Sequence, residues 1–93
     1  MKNKVIYIWI VEKKIFREDG RKVGSTLSYF SSREKAMIHI ECIKAWSENN
    51  NAQLIDWDDD KMSGSYELKY GDTLVIKTER KAIDFDDFLV GEC

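Results

Sequence analysis

Eight consecutive residues near the start, Lys4-Val5-Ile6-Tyr7-Ile8-Trp9-Ile10-Val11, constrain this chain more than any other feature. From Val5 onward every one is β-branched or aromatic, the classes that suit a pleated strand and lose side-chain freedom in a helix. Ile6, Ile8 and Ile10 fall on one side of such a strand, and Val5, Tyr7, Trp9 and Val11 on the other. Both sides are apolar, so the run predicts a strand buried on both faces in the middle of a sheet. It is far too short to cross a bilayer, which takes about 20 apolar residues in a helix.

The strand is expected to continue through Ile15 and Phe16 to Asp19-Gly20, a dipeptide suited to a two-residue type I′ hairpin turn. The return strand runs from about Arg21 to Phe30, with Phe16 opposite Val23 and Gly24 as a bulge or bend. Ser31 and Glu34 then have the spacing of a capping box, in which each side chain satisfies a backbone N–H at a helix start. The helix is predicted to reach about Glu48 and to stop at Asn49-Asn50-Asn51, because Asn tolerates the left-handed conformation of a C-cap. Ala36, Ile40, Ile43 and Ser47 form its core face at helical spacing, flanked by His39 and Trp46. Ile38, Cys42 and Ala45 form a second apolar strip on its back. A loop or the C-terminal segment could cover that strip, or it could serve a second copy or another partner.

Three further strands are expected. Gln53 to Trp57 is the first. Tyr66, Leu68 and Tyr70 alternate with charged residues, and Gly71-Asp72 suits a type II′ turn into Leu74-Val75-Ile76, so residues 65–79 read as a second hairpin. Phe85, Phe88 and Leu89 behind Asp84 predict a short C-terminal helix. The expected fold is α+β, an antiparallel sheet with one main helix on one face in the order β-β-α-β-β-β. With 93 residues and 43% hydrophobic residues the chain makes a single domain over 1–93 with a modest core.

The chemistry is mostly negative. His39 and Cys42 stand three apart on one helix and can touch, but no third residue is marked out to orient the imidazole. Two cysteines and one histidine do not fill a zinc site, and no glycine-rich phosphate loop occurs. Asp56, Asp58, Asp60 and Glu67 occupy positions 1, 3, 5 and 12 of a calcium loop, yet Lys61 stands where the turn needs glycine and the flanks read as strands. The sequence therefore implies no enzyme, no cofactor and no bound metal. Carboxylate chemistry has no spacing signature and stays open. Cys42 and Cys93 make no disulfide framework, and no secretory leader precedes the first strand, so a reducing cytoplasm is expected and no membrane.

Charge is divided along the chain. Residues 1–48 carry ten Lys/Arg against six Asp/Glu, and residues 49–93 carry five against eleven. Lys13, Lys14, Arg17, Arg21 and Lys22 gather on the first hairpin, as phosphate contact requires. Asp58, Asp59 and Asp60 concentrate negative charge beside Trp57. Tyr7, Trp9 and Trp57 are candidate anchors for a protein partner, since Trp and Tyr dominate binding hot spots. For Trp9 ordinary core is the stronger reading.

The hairpin followed by Phe30-Ser31-Ser32-Arg33-Glu34-Lys35-Ala36 resembles a group of small uncharacterised bacterial and phage proteins, in which a hairpin runs into an F-S-S-x-E-K-A helix start. The resemblance covers residues 4–45. It implies a short phage or prophage product that acts by binding a host or defence protein, and it carries over no site residues. The expected function is thus a non-catalytic protein-interaction module, an inhibitor or accessory protein. The alternative is a nucleic-acid or nucleotide binder acting through the basic hairpin.

Overall fold

The long apolar run does form a strand, and it lies inside a sheet. In the computed structural model, which describes residues 5–84, β1 (Val5–Phe16) pairs antiparallel with β2 (Lys22–Phe30) on one side and β5 (Thr73–Asp84) on the other. Helix α1 (Arg33–Asn49) follows β2, and β3 (Gln53–Asp58) and β4 (Ser63–Glu67) complete a five-stranded antiparallel sheet in the order β2-β1-β5-β4-β3. The α+β fold and the β-β-α-β-β-β sequence of elements are those expected. Among the described residues no helix is long and apolar enough to cross a membrane.

The helix covers one face only. Val11, Leu74, Ile76 and Tyr66 point to it from the sheet, and Ala36, Ile40 and Ile43 meet them from α1. Buried Ser47 on the same helix face donates through Oγ to the Ile43 carbonyl at 2.9 Å, so its hydroxyl is satisfied without a long-range partner. The four inward residues of α1 are those the helical spacing picked out. Burial of β1 on both faces is not observed. Ile6 and Tyr7 are 46% and 47% exposed, because β2 reaches only to Trp9 and the helix begins just after Phe30, the partner of Trp9. Beyond that level residues 5–8 pair only with residues 81–84, as a two-stranded ribbon without cover among the described residues.

Local chemistry shifts three predicted boundaries. The first turn has one left-handed residue, Gly20 (φ 90°), and not the two a type I′ turn requires. Gly20 N–H donates to Arg17 O and Arg17 N–H to Arg21 O, each at 2.8 Å, the pattern of a longer loop closed by a left-handed glycine. Phe16 consequently faces Lys22 instead of Val23, which becomes the bulged residue beside Gly24. At the helix start the cap is Ser32 and not Ser31: its extended backbone lets Oγ accept from Lys35 N–H at 3.2 Å, so Glu34 closes no capping box. The helix ends as predicted on the asparagines. Asn51 is left-handed (φ 63°), and Ala52 N–H reaches Ser47 O while Asn51 N–H reaches Glu48 O, a Schellman closure.

In the second hairpin Tyr70 leaves the strand pattern. It and Gly71 both take positive φ (66° and 82°) in the loop between β4 and β5, so the tyrosine is exposed and the turn sits one residue earlier than Gly71-Asp72. β5 runs to Asp84, the last described residue. The remainder of the predicted C-terminal helix, like Cys93, lies outside the described residues.

Burial, with the carboxylates of Glu48 and Glu41 nearby, pushes the Tyr66 phenol above its ordinary value of 10.0. The folded chain then holds this proton more tightly than the unfolded chain. Its stabilising share is fully present below the unfolded value and is lost as pH rises through the raised one. Tyr66→Phe is expected to flatten the fall in stability as pH rises above 10.0, measured by urea unfolding. Equal slopes for both proteins would show that other groups drive the alkaline transition.

Candidate functional site

Rotating half a turn from the core face of α1 brings Ile38, Cys42 and Ala45 to the outside. With Met37 beside them they form the floor of an open concavity of about 540 Å³, rimmed by Glu34 and Glu41. Ile38 is 65% exposed, and no described residue covers the strip. The short side chains of Cys42 and Ala45 leave the hollow, and Ile38 and Met37 wall it at the N-terminal end. The Arg33 guanidinium lies 3.1 Å from Met37 Sδ, which holds that side chain against the helix. Lys44 bridges two places, with its Nζ 3.8 Å from Glu41 Oε1 and 4.6 Å from the centre of the Trp57 ring. On the rim Glu41 is thus paired with Lys44, while Glu34 has no ion-pair partner among the described residues. The floor was legible in the sequence but the rim was not, although 34, 38, 41 and 45 repeat at alternating steps of four and three, the spacing of a helical seam.

The aromatic and acidic anchors do not converge. Trp57 packs at the edge of the core, and its Nε1 donates to Asp59 Oδ1 at 2.8 Å. Tyr7 lies on the overhanging ribbon beneath Arg80, whose guanidinium carbon is 4.5 Å from the ring centre. Trp9 is half-buried against the core. Three strand spacings and a register offset separate Trp57 from the other two. At about 4.8 Å per strand and 3.4 Å per residue, the distance is about 20 Å to Trp9 and about 25 Å to Tyr7. The three aromatics thus belong to two separate places, each already engaged by a neighbouring charge.

The aspartates are likewise used locally. Asp56 Oδ1 accepts from Ser65 Oγ at 2.7 Å, and Asp58 Oδ1 accepts from Lys61 N–H at 3.2 Å. Together with Asp59 and exposed Asp60 they shape the β3–β4 hairpin, flanked by strands where a calcium loop has helices. Among the described residues no three His, Cys, Asp or Glu side chains gather as metal ligands would.

The basic hairpin is divided between faces. Lys13 lies on the helix side, beside Ile15, Cys42 and Trp46. Lys14 lies on the opposite face, 3.3 Å from Glu12. Arg17, Arg21 and Lys22 are exposed at the turn, where Glu18, Asp19 and Asp72 interleave with them. His39 sits with its ring 5.0 Å from that of Phe30, and no described hydrogen bond joins it to the exposed Cys42 thiol. Comparison with protein-family models, curated proteins and solved structures gives no match to this chain.

Proposed function

We propose that this protein is a non-catalytic interaction module of the cytoplasm that docks a partner protein on the outer face of α1. The observation that carries this reading is the open hollow of Met37, Ile38, Cys42 and Ala45 between Glu34 and Glu41. A helix whose only task was to cover a sheet would carry lysine and glutamate at Ile38 and Ala45. The partner that fits is an amphipathic segment whose apolar side chains fill the hollow and whose Lys or Arg residue meets Glu34, since Glu41 already pairs with Lys44. The resemblance of residues 4–45 to small phage and prophage proteins agrees with an inhibitor or accessory protein aimed at a host or defence protein.

The test uses a tagged chain as bait in lysate of its native host, with mass spectrometry of what is retained. Ile38→Glu is expected to weaken capture on the order of 30-fold or more, as loss of a buried hot spot does. Its fold should change by under about 0.5 kcal/mol, since the side chain is exposed. Capture that ignores Ile38→Glu would overturn this docking site. Retention of nucleic acid that collapses with salt and with Lys13, Lys14 and Arg17→Ala would favour the basic hairpin instead.

A further inference from the structure

The two edges of the sheet are guarded unequally. β3 forms one edge: it is six residues long, a bulge at Ile55 interrupts it, and Asp56 and Asp58 charge it. Those are devices that keep an exposed strand from pairing with another chain. β2 forms the other edge and has none of them past its first residues. Its bulge falls at Val23, and from Val23 to Phe30 there is neither a charge nor a proline. Leu27 and Tyr29 on this strand are 49% and 61% exposed. The alternate N–H and C=O groups of an edge strand point outward, and no described residue takes those of residues 23–30.

We infer that the free edge of β2 is an interface between two copies of this chain, which pair antiparallel about a two-fold axis at Leu27 and join two five-stranded sheets into one. The register follows from the residues. Directly opposed residues of an antiparallel pair share a face; the uncharged run from Val23 to Ser32 has Leu27 and Ser28 at its middle, and of these Leu27 is the one on the face away from the helix. An axis there sets Leu27 against Leu27 of the copy, Ser25 against Tyr29, and Gly24 against Phe30. Each aromatic ring thus lies across from a small residue. Gly24 has room to receive one, because a Cβ placed on it would meet only Ile15, at 4.0 Å. Leu27 and Tyr29 lie on the face away from the helix, beside Glu12 and Ile10 of β1. Pairing would therefore bring the Leu27 side chains of the two copies together on that face, with each Tyr29 diagonal to the other copy's Leu27. A second copy is the occupant because the strand complements itself residue by residue and brings no like charges together.

Light scattering on the eluting full-length chain, from micromolar to millimolar concentration, tests this. The mass should climb from 10.9 kDa toward twice that value. Leu27→Lys should raise the dimer dissociation constant on the order of tenfold or more, because the new charge meets its own counterpart at the axis. It should leave the monomer folded, since it faces Glu12, and thermal melting checks this. Ile38→Glu should leave the dimer intact, which separates this interface from the docking hollow on the helix. In a Cys42→Ser, Cys93→Ser background, Leu27→Cys should cross-link under mild oxidation and Thr26→Cys should not, because Thr26 faces Ser28 of the copy. A mass of 10.9 kDa at every concentration would overturn the proposal. So would a dimer that survives Leu27→Lys or dissolves with Ile38→Glu, or equal cross-linking at positions 26 and 27.

Discussion

Gly64→Ala is expected to cost about 3 kcal/mol, the upper end for forcing extra volume into a packed site. Gly64 lies on β4 between Trp57 of β3 and Ile76 of β5. A Cβ there would lie 2.5 Å from Trp57 Cε3 and 2.9 Å from Trp57 Cα, and would also run into the Asp56 carbonyl oxygen. Two of these three obstacles are backbone atoms of the neighbouring strand, so no rotamer change relieves the clash. Either β3 moves away from β4 or the Trp57 ring leaves the core edge. The second outcome breaks the Nε1 bond to Asp59 and the contact with Lys44. At about 4–8 °C per kcal/mol for a domain of this size, the melting temperature should fall by about 12–24 °C. Trp57 fluorescence should shift toward that of a solvated indole. A fall of only a few degrees with unchanged fluorescence would mean that β3 yields easily, and the rigidity assigned to this hairpin would be wrong.

Ile76→Ala should be costlier still, about 4 kcal/mol. Ile76 is 1% exposed and belongs to the cluster that joins Val11, Leu74 and Tyr66 of the sheet to Ile40 and Ile43 of the helix. Removing its three outer carbons forfeits their transfer energy and leaves a cavity, a combination that costs about 2–5 kcal/mol. The site has little capacity to collapse: Ile76 pairs with Lys13 on one side and Gly64 on the other, and neither can extend an apolar side chain into the gap. A domain of this length has about 5–14 kcal/mol in total, and a core this small puts it near the lower bound. The variant should be only marginally folded at room temperature. Urea unfolding would show a much lower midpoint at an unchanged slope. A midpoint close to that of the wild type would place the stability outside the helix-facing core.

Elements whose cause is local were legible along the chain. The Val5–Val11 run could only be a strand, the face of Ala36, Ile40, Ile43 and Ser47 followed from helical geometry, and the asparagines terminated the helix through a backbone preference of that residue. Local choices between near-equal neighbours were not legible. Ser31 and Ser32 can both cap, and Ser32 does so because the chain leaving β2 is extended at that residue. Asp19-Gly20 can serve two kinds of turn, and the bulge at Val23 is coupled to the one it forms. The candidate sites divide in the same way. The floor of the helix hollow could be read from Ile38, Cys42 and Ala45, whereas the grouping of Tyr7 and Trp9 with Trp57 assumed a proximity that only strand order could grant.

By itself the sequence determined which segments are strands, where the helix lies and which of its sides is buried, because these depend on side-chain shape and on periods of two and 3.6 residues. It also marked Ile38, Cys42 and Ala45 as an apolar strip. Only the tertiary structure decided that β5 lies between β1 and β4, and that β2 and β3 are edges. Pairing order depends on contacts far apart in the chain, and no local preference encodes them. That order divided the basic hairpin between two faces, separated Trp57 from Tyr7, and left the uncharged part of β2, Val23 to Phe30, with an open side.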